Sequence, residues 1–147
     1  MGMDVIGRKN TEAYFRNNVW WWRPLWDYVE RVAPDLVSNV SGHTNDGDGL
    51  DEAQALELRE RLLTEMISGR TEQYANDYET FMNALPDESC DLCNGTGKRT
   101  DMEVKDGCNK CMGKGEVRPW ATHYPFSVEN VKDFCSFLAT CGGFSIC

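Results

Sequence analysis

The chain is expected to fold as a mostly helical α+β domain with a zinc-binding hairpin or knuckle module inserted into it. Three observations predict this. Two cysteine pairs of one form lie fourteen residues apart: Cys90-Asp-Leu-Cys93-Asn-Gly95-Thr-Gly97 and Cys108-Asn-Lys-Cys111-Met-Gly113-Lys-Gly115. Apolar residues recur at helical spacing on both sides of that segment. At 147 residues, 41% hydrophobic and 27% charged, the composition suits a single soluble globular domain over 1–147, with the module at 88–118.

Taken in order, the first residues show no clear periodicity until an aromatic run begins at Tyr14. Because proline disfavours helix at the residue before it and suits a first helical turn, Arg23-Pro24 predicts an extended segment up to Arg23. A short helix then runs from Pro24 to Ala33, with Leu25, Trp26, Val29 and Val32 as its apolar stripe. Residues 41–49, SGHTNDGDG, form a polar, glycine-rich loop. Aligned as a calcium loop, it puts Thr44 at the first ligand position and Ala55 where the bidentate acid belongs, so a cap leading into a helix fits better. That helix is expected over 50–68, with Asp48 as its cap, Leu56, Leu63 and Ile67 along one side, and Leu62 and Met66 beside them. Gly69 is placed to end it. A second helix over 71–85 carries Tyr74, Tyr78, Phe81, Met82 and Leu85. A last one follows Ser127, with Val131, Phe134, Cys135 and Leu138 on one face. It pairs antiparallel with the 71–85 helix in this reading, and Phe144–Ile146 form a short edge strand.

The cysteine segment carries the strongest chemical signal. Each pair can set two sulfurs on one side of a tight turn, and two facing turns complete the tetrahedron that zinc prefers with thiolates. The glycines let backbone amides curl around the sulfurs and donate to them. Cys90, Cys93, Cys108 and Cys111 are therefore the metal ligands, holding one structural zinc ion. Four sulfurs leave no open position for catalysis. Seven cysteines in a chain with no apolar stretch of signal-peptide or membrane-spanning length also favour metal over disulfides, in a cytoplasmic setting.

This CxxCxGxG pattern resembles the zinc-finger repeat of DnaJ-type cochaperones. The resemblance covers residues 90–115, with two repeats where that family usually has four. The His-Pro-Asp tripeptide of its J-domain is missing, since His43 precedes Thr44 and His123 precedes Tyr124. It implies a zinc module that contacts proteins, without a complete cochaperone. The remainder, with the run from Tyr14 to Trp26 and the closing Gly142-Gly-Phe144, is similar to small bacterial and phage proteins that carry no established activity. That similarity implies phage counter-defence and supplies no site residues.

Net charge of −9 excludes a general nucleic-acid binder, which needs a basic stripe. The acidity is concentrated in residues 27–89, which hold fifteen acidic and four basic groups. A solvated acidic face accounts for it, and a basic partner surface or mimicry of nucleic acid towards a host protein is the alternative. Arg16, Asn17, Asn18, Trp20, Trp21, Trp22 and Arg23 form the candidate ligand-binding run. In an extended segment Trp20 and Trp22 face one way and Trp21 the other, which would build an aromatic wall with donors beside it for a nucleotide-like small molecule. The competing reading makes these tryptophans core. Trp120 is expected to pack the module onto the body. Cys135 looks like a core residue, and Cys141 sits at a helix C-terminus, where the dipole disfavours thiolate. No nucleophile is paired with a base, so no catalytic residue is assigned. The favoured function is a protein-interaction module, with a small-molecule binder second and an enzyme last.

Overall fold

The chain opens with an antiparallel hairpin, β1 (Gly2–Gly7) and β2 (Tyr14–Asn18). It is seen in a computed structural model that describes residues 1–99 and 107–147. Met3, Val5 and Gly7 alternate inward along β1 at the strand period of two.

Helix α1 (Val19–Val32) begins five residues before the Pro24 start expected from the sequence. Asn18 is the reason. Its backbone is extended and its Oδ1 accepts the Trp21 amide at 3.1 Å, satisfying a first-turn donor. Pro24 lies inside the helix, where it cannot donate to the Trp20 carbonyl, at a cost of about 3 kcal/mol or more. Helical geometry repays this by burying Trp22, Leu25, Trp26 and Val29 on one face, each contributing about 1.5–3 kcal/mol. Burial outweighs the missing hydrogen bond. The tryptophans therefore follow a helical period, and the alternating display expected of an extended run does not occur.

A short helix, α2 (Pro34–Val37), precedes the polar loop and β3 (Gly49–Leu50). Helix α3 (Glu52–Ile67) is capped by Asp51, which forms a reciprocal pair with Gln54. Asp48, the expected cap, instead accepts the amides of Ser41 and Gly49 at 2.8 and 2.9 Å and closes the loop on itself. Ala55, Leu58 and Leu62 are the buried residues of α3, while Leu56 and Ile67 are exposed. The buried face is thus displaced from the predicted stripe, although Leu62, expected beside it, is fully buried.

Gly69 separates α3 from α4 (Arg70–Ala84) with a positive φ. Thr71 is buried against Tyr28, their hydroxyls 2.8 Å apart, and Tyr74 and Tyr78 gather around Phe126. Phe81 is exposed. Helix α5 (Val128–Leu138) starts at Ser127, whose hydroxyl accepts the Asn130 amide at 3.1 Å, and packs chiefly against α3 rather than α4. The closing strand, β6 (Phe144–Ile146), lies inside the sheet and not at its edge: the order is β2-β1-β6-β3, all neighbours antiparallel. Phe144 and Ile146 are fully buried, which an edge position with one neighbour would not give them.

Two compact units result, one of Met1–Glu79 with Tyr124–Cys147, the other of Thr80–His123. The first holds a core built around Trp22 and Trp26, whose rings stack at 5.5 Å, with Phe134 and Phe144 against them edge-on. Trp22 Nε1 donates to the Gly42 carbonyl at 2.7 Å. A Cβ on Gly42 would stand 1.8 Å from the Trp26 ring, so no other residue fits there. The second unit contains the cysteine segment between β4 (Glu88–Ser89) and β5 (Glu116–Val117), which pair antiparallel. Its residues 100–106 lie outside those described, as does that part of the expected 88–118 module. Among the described residues no helix is long and apolar enough to cross a membrane.

Candidate metal centre

The four predicted ligands meet. Cys90, Cys93, Cys108 and Cys111 are all buried, with donor atoms within 4.8 Å of one another. Sγ of Cys90 lies 3.8 Å from that of Cys108, and Sγ of Cys93 lies 3.8 Å from that of Cys111. Zinc–thiolate bonds of about 2.3 Å at tetrahedral angles require sulfurs about 3.8 Å apart. The cluster therefore fits a metal ion such as zinc. It is unlike a disulfide, whose sulfurs approach to about 2.05 Å.

The backbone that presents these sulfurs repeats with an offset of eighteen residues. In the first knuckle, the Gly95 amide donates to the Cys90 carbonyl at 3.0 Å and the Gly97 amide to Cys93 Sγ at 3.2 Å. In the second, the Gly113 amide donates to the Cys108 carbonyl at 3.1 Å and the Gly115 amide to Cys111 Sγ at 3.2 Å. The two knuckles also clasp each other. Cys90 donates its amide to the Gly115 carbonyl at 2.8 Å, and Cys108 donates to the Gly97 carbonyl at 2.9 Å. The result is an approximate twofold arrangement, with matching positive φ at Asn94 and Met112 and at Gly97 and Gly115.

Electrostatics favour thiolate at this cluster. Burial works against ionisation of Cys93, but the Gly97 amide and the three neighbouring sulfurs outweigh it and hold the thiol down to about 7. The Cys111 amide holds Cys108 below its ordinary range. Burial pushes Cys90 up, so the sulfurs do not share their first charge equally. Lys110 ion-pairs with Asp91 across the two knuckles at 2.5 Å.

Comparison with protein-family models, curated proteins and solved structures finds no match. The likeness to the DnaJ-type repeat thus rests on the motif itself, and the geometry above supports a metal cluster without deciding that ancestry.

Beside the cluster, within the same unit, is a cleft of about 680 Å³. Lys110, Met112, Arg118, Trp120 and His123 are among its lining residues. Trp120, expected to be a packing residue, is 64% exposed, and Met112 is 79% exposed. Arg118 is fixed by bonds of 2.7 Å to the carbonyls of Met82 and Leu85 at the end of α4, and by Asp87 at 2.8 Å. Sequence reasoning missed this cleft because its walls come from both sides of the cysteine segment. The sequence shows Met112 and Trp120 but not that both are exposed.

The candidate ligand-binding run separates. Trp22 is fully buried, with its N–H used by Gly42, and is a core residue. Asn18 is spent on the α1 cap, Asn17 Oδ1 accepts from Asn130 at 2.7 Å, and Arg16 ion-pairs with Asp4 at 3.4 Å. Trp20 and Arg23 instead meet at Tyr124, with the Trp20 ring 4.9 Å and the Arg23 guanidinium 5.9 Å from its ring centre. Trp21 is partly exposed. Cys135 and Cys141 are buried thiols; burial pushes Cys135 up to about 12 and raises Cys141 as well. Neither environment activates a nucleophile.

Proposed function

We propose that the chain is a non-catalytic binding protein in which one structural zinc ion holds the 80–123 unit in shape for a protein partner. What carries this reading is the cleft beside the sulfur cluster, where Trp120 and Met112 stand exposed on a scaffold fixed by Arg118 and the two knuckles. Exposed aromatic and methionine side chains on a rigid surface are the usual anchors of protein interfaces. An ion bound by four thiolates keeps no position for substrate, so its contribution is to folding.

Two measurements test it. Metal analysis of the purified protein should give one zinc per chain, and Cys93→Ser should lose it; unchanged zinc in that variant would remove the metal assignment. Affinity capture from the native host should then compare the wild type with a Trp120→Ala, Met112→Ser double variant that still holds its zinc. A partner retained equally by both would sink the assignment of the surface. Loss of that partner with the metal in place supports it.

A further inference from the structure

A second group of metal-ligating side chains lies in the first unit, away from the cysteines. Asp27 and Glu30 stand three residues apart on α1, on the side facing the polar loop, and His43 comes from that loop. His43 Nε2 is 3.1 Å from Asp27 Oδ1 and 4.0 Å from Glu30 Oε2, and one donor atom from each residue falls within 4.8 Å of the other two. Two donors bound to one ion at about 2.1 Å are separated by about 3.0 Å at a right angle and about 4.2 Å when opposite. Both distances lie in that range.

The group is held from beneath. Glu30 Oε1 accepts the indole N–H of the fully buried Trp26 at 3.1 Å, which leaves Oε2 as the oxygen directed at His43. The loop carrying His43 is anchored one residue earlier, where the Gly42 carbonyl takes the Trp22 N–H and the absent Cβ lets the backbone lie on the Trp26 ring. Asp48 closes the same loop through the Ser41 amide. The same two core tryptophans thus hold the Glu30 carboxylate and the backbone of the loop that carries His43. Outer contacts of this kind orient metal ligands and set their affinity.

We propose that Asp27, Glu30 and His43 form an open site for a first-row divalent cation of the zinc, cobalt or nickel type. Two carboxylates supply two negative charges against a dication. The imidazole nitrogen favours these ions over calcium or magnesium, which prefer all-oxygen shells. Three protein ligands leave positions for water or a ligand atom, which the sulfur cluster does not.

The test uses the full chain with one zinc already on the cysteines, titrated with cobalt(II) in a calorimeter. Zinc should stay in place, because cobalt(II) binds such ligand sets less tightly. One further equivalent should bind with a Kd below about 1 mM. His43→Ala and Asp27→Asn, both surface changes, should each weaken it at least tenfold without releasing the zinc. Absence of the second equivalent in the wild type would overturn the site. So would a second equivalent whose affinity is the same in both variants, since it would lie elsewhere.

Discussion

Replacing Gly97 with alanine tests the twofold closure of the cysteine module, with Gly113→Ala as its internal control. Both glycines have a positive φ, +75° and +79°, where a side chain costs about 1–2 kcal/mol. They differ in what the added carbon meets. At Gly113 the nearest atom is the Gly97 carbonyl oxygen at 4.0 Å, which is ordinary contact. At Gly97 the new Cβ would sit 2.5 Å from the Gly113 oxygen and 3.1 Å from its carbon, both backbone atoms that cannot swing aside. Overpacking of that kind adds about 1–3 kcal/mol. In the proposed zinc site, metal binding and folding of the module are coupled, so these costs appear as lost zinc affinity. At about 1.4 kcal/mol per tenfold, Gly113→Ala should weaken zinc by about 5- to 30-fold, and Gly97→Ala by about 30-fold to several thousand-fold. Competition with a chromophoric chelator measures both. Gly115→Ala should match Gly97→Ala, because its Cβ would lie 2.4 Å from the Gly95 oxygen. If Gly97→Ala and Gly113→Ala weaken zinc equally, the close approach of the knuckles does not constrain the site and the reasoning fails.

Two further outcomes concern the first unit. Trp22→Phe removes the donor to the buried Gly42 carbonyl and part of the ring volume, and should cost about 2–4 kcal/mol. Urea unfolding followed by circular dichroism would show a lower midpoint at unchanged slope; a midpoint within error of wild type would contradict the assignment. Cys135 supplies a pH test. Its folded thiol is raised by burial to about 12 from an ordinary value of 9.0, so the unfolded chain ionises first. Its contribution to stability is complete below about pH 9 and falls away as pH rises towards 12. The difference in stability between wild type and Cys135→Ala should therefore shrink between pH 8 and 10, and a difference independent of pH would refute it.

The sequence revealed most where structure is local. The clustering of Cys90, Cys93, Cys108 and Cys111 could be read from two short repeats alone, because each knuckle makes its own turn and only their mutual approach is long-range. Helices α4 and α5 were legible from apolar period and, for α5, the cap at Ser127. The tryptophan run was not. Three large apolar residues in succession have no period to distinguish strand from helix, and Pro24 pointed to the wrong start while the Asn18 cap decided the matter. The N-terminal hairpin was hidden because Ile6, an apolar residue, faces outward while Gly7 faces in. The interior position of β6 depends on pairing with residues more than ninety positions away, which no local pattern records. The meeting of His43 with Asp27 and Glu30 was invisible for the same reason.

The paired knuckles resemble a symmetric homodimer written into one chain. Each half presents to the other what the other presents to it: two sulfurs, one amide and one carbonyl. Separate chains carrying one half each would assemble around zinc only when concentrated enough to meet. Here the ten residues 98–107 join the halves, and a short tether holds the second at an effective concentration of the order of millimolar. Metal capture at the proposed site should therefore be independent of the protein's own abundance, the same at high dilution as in a concentrated sample.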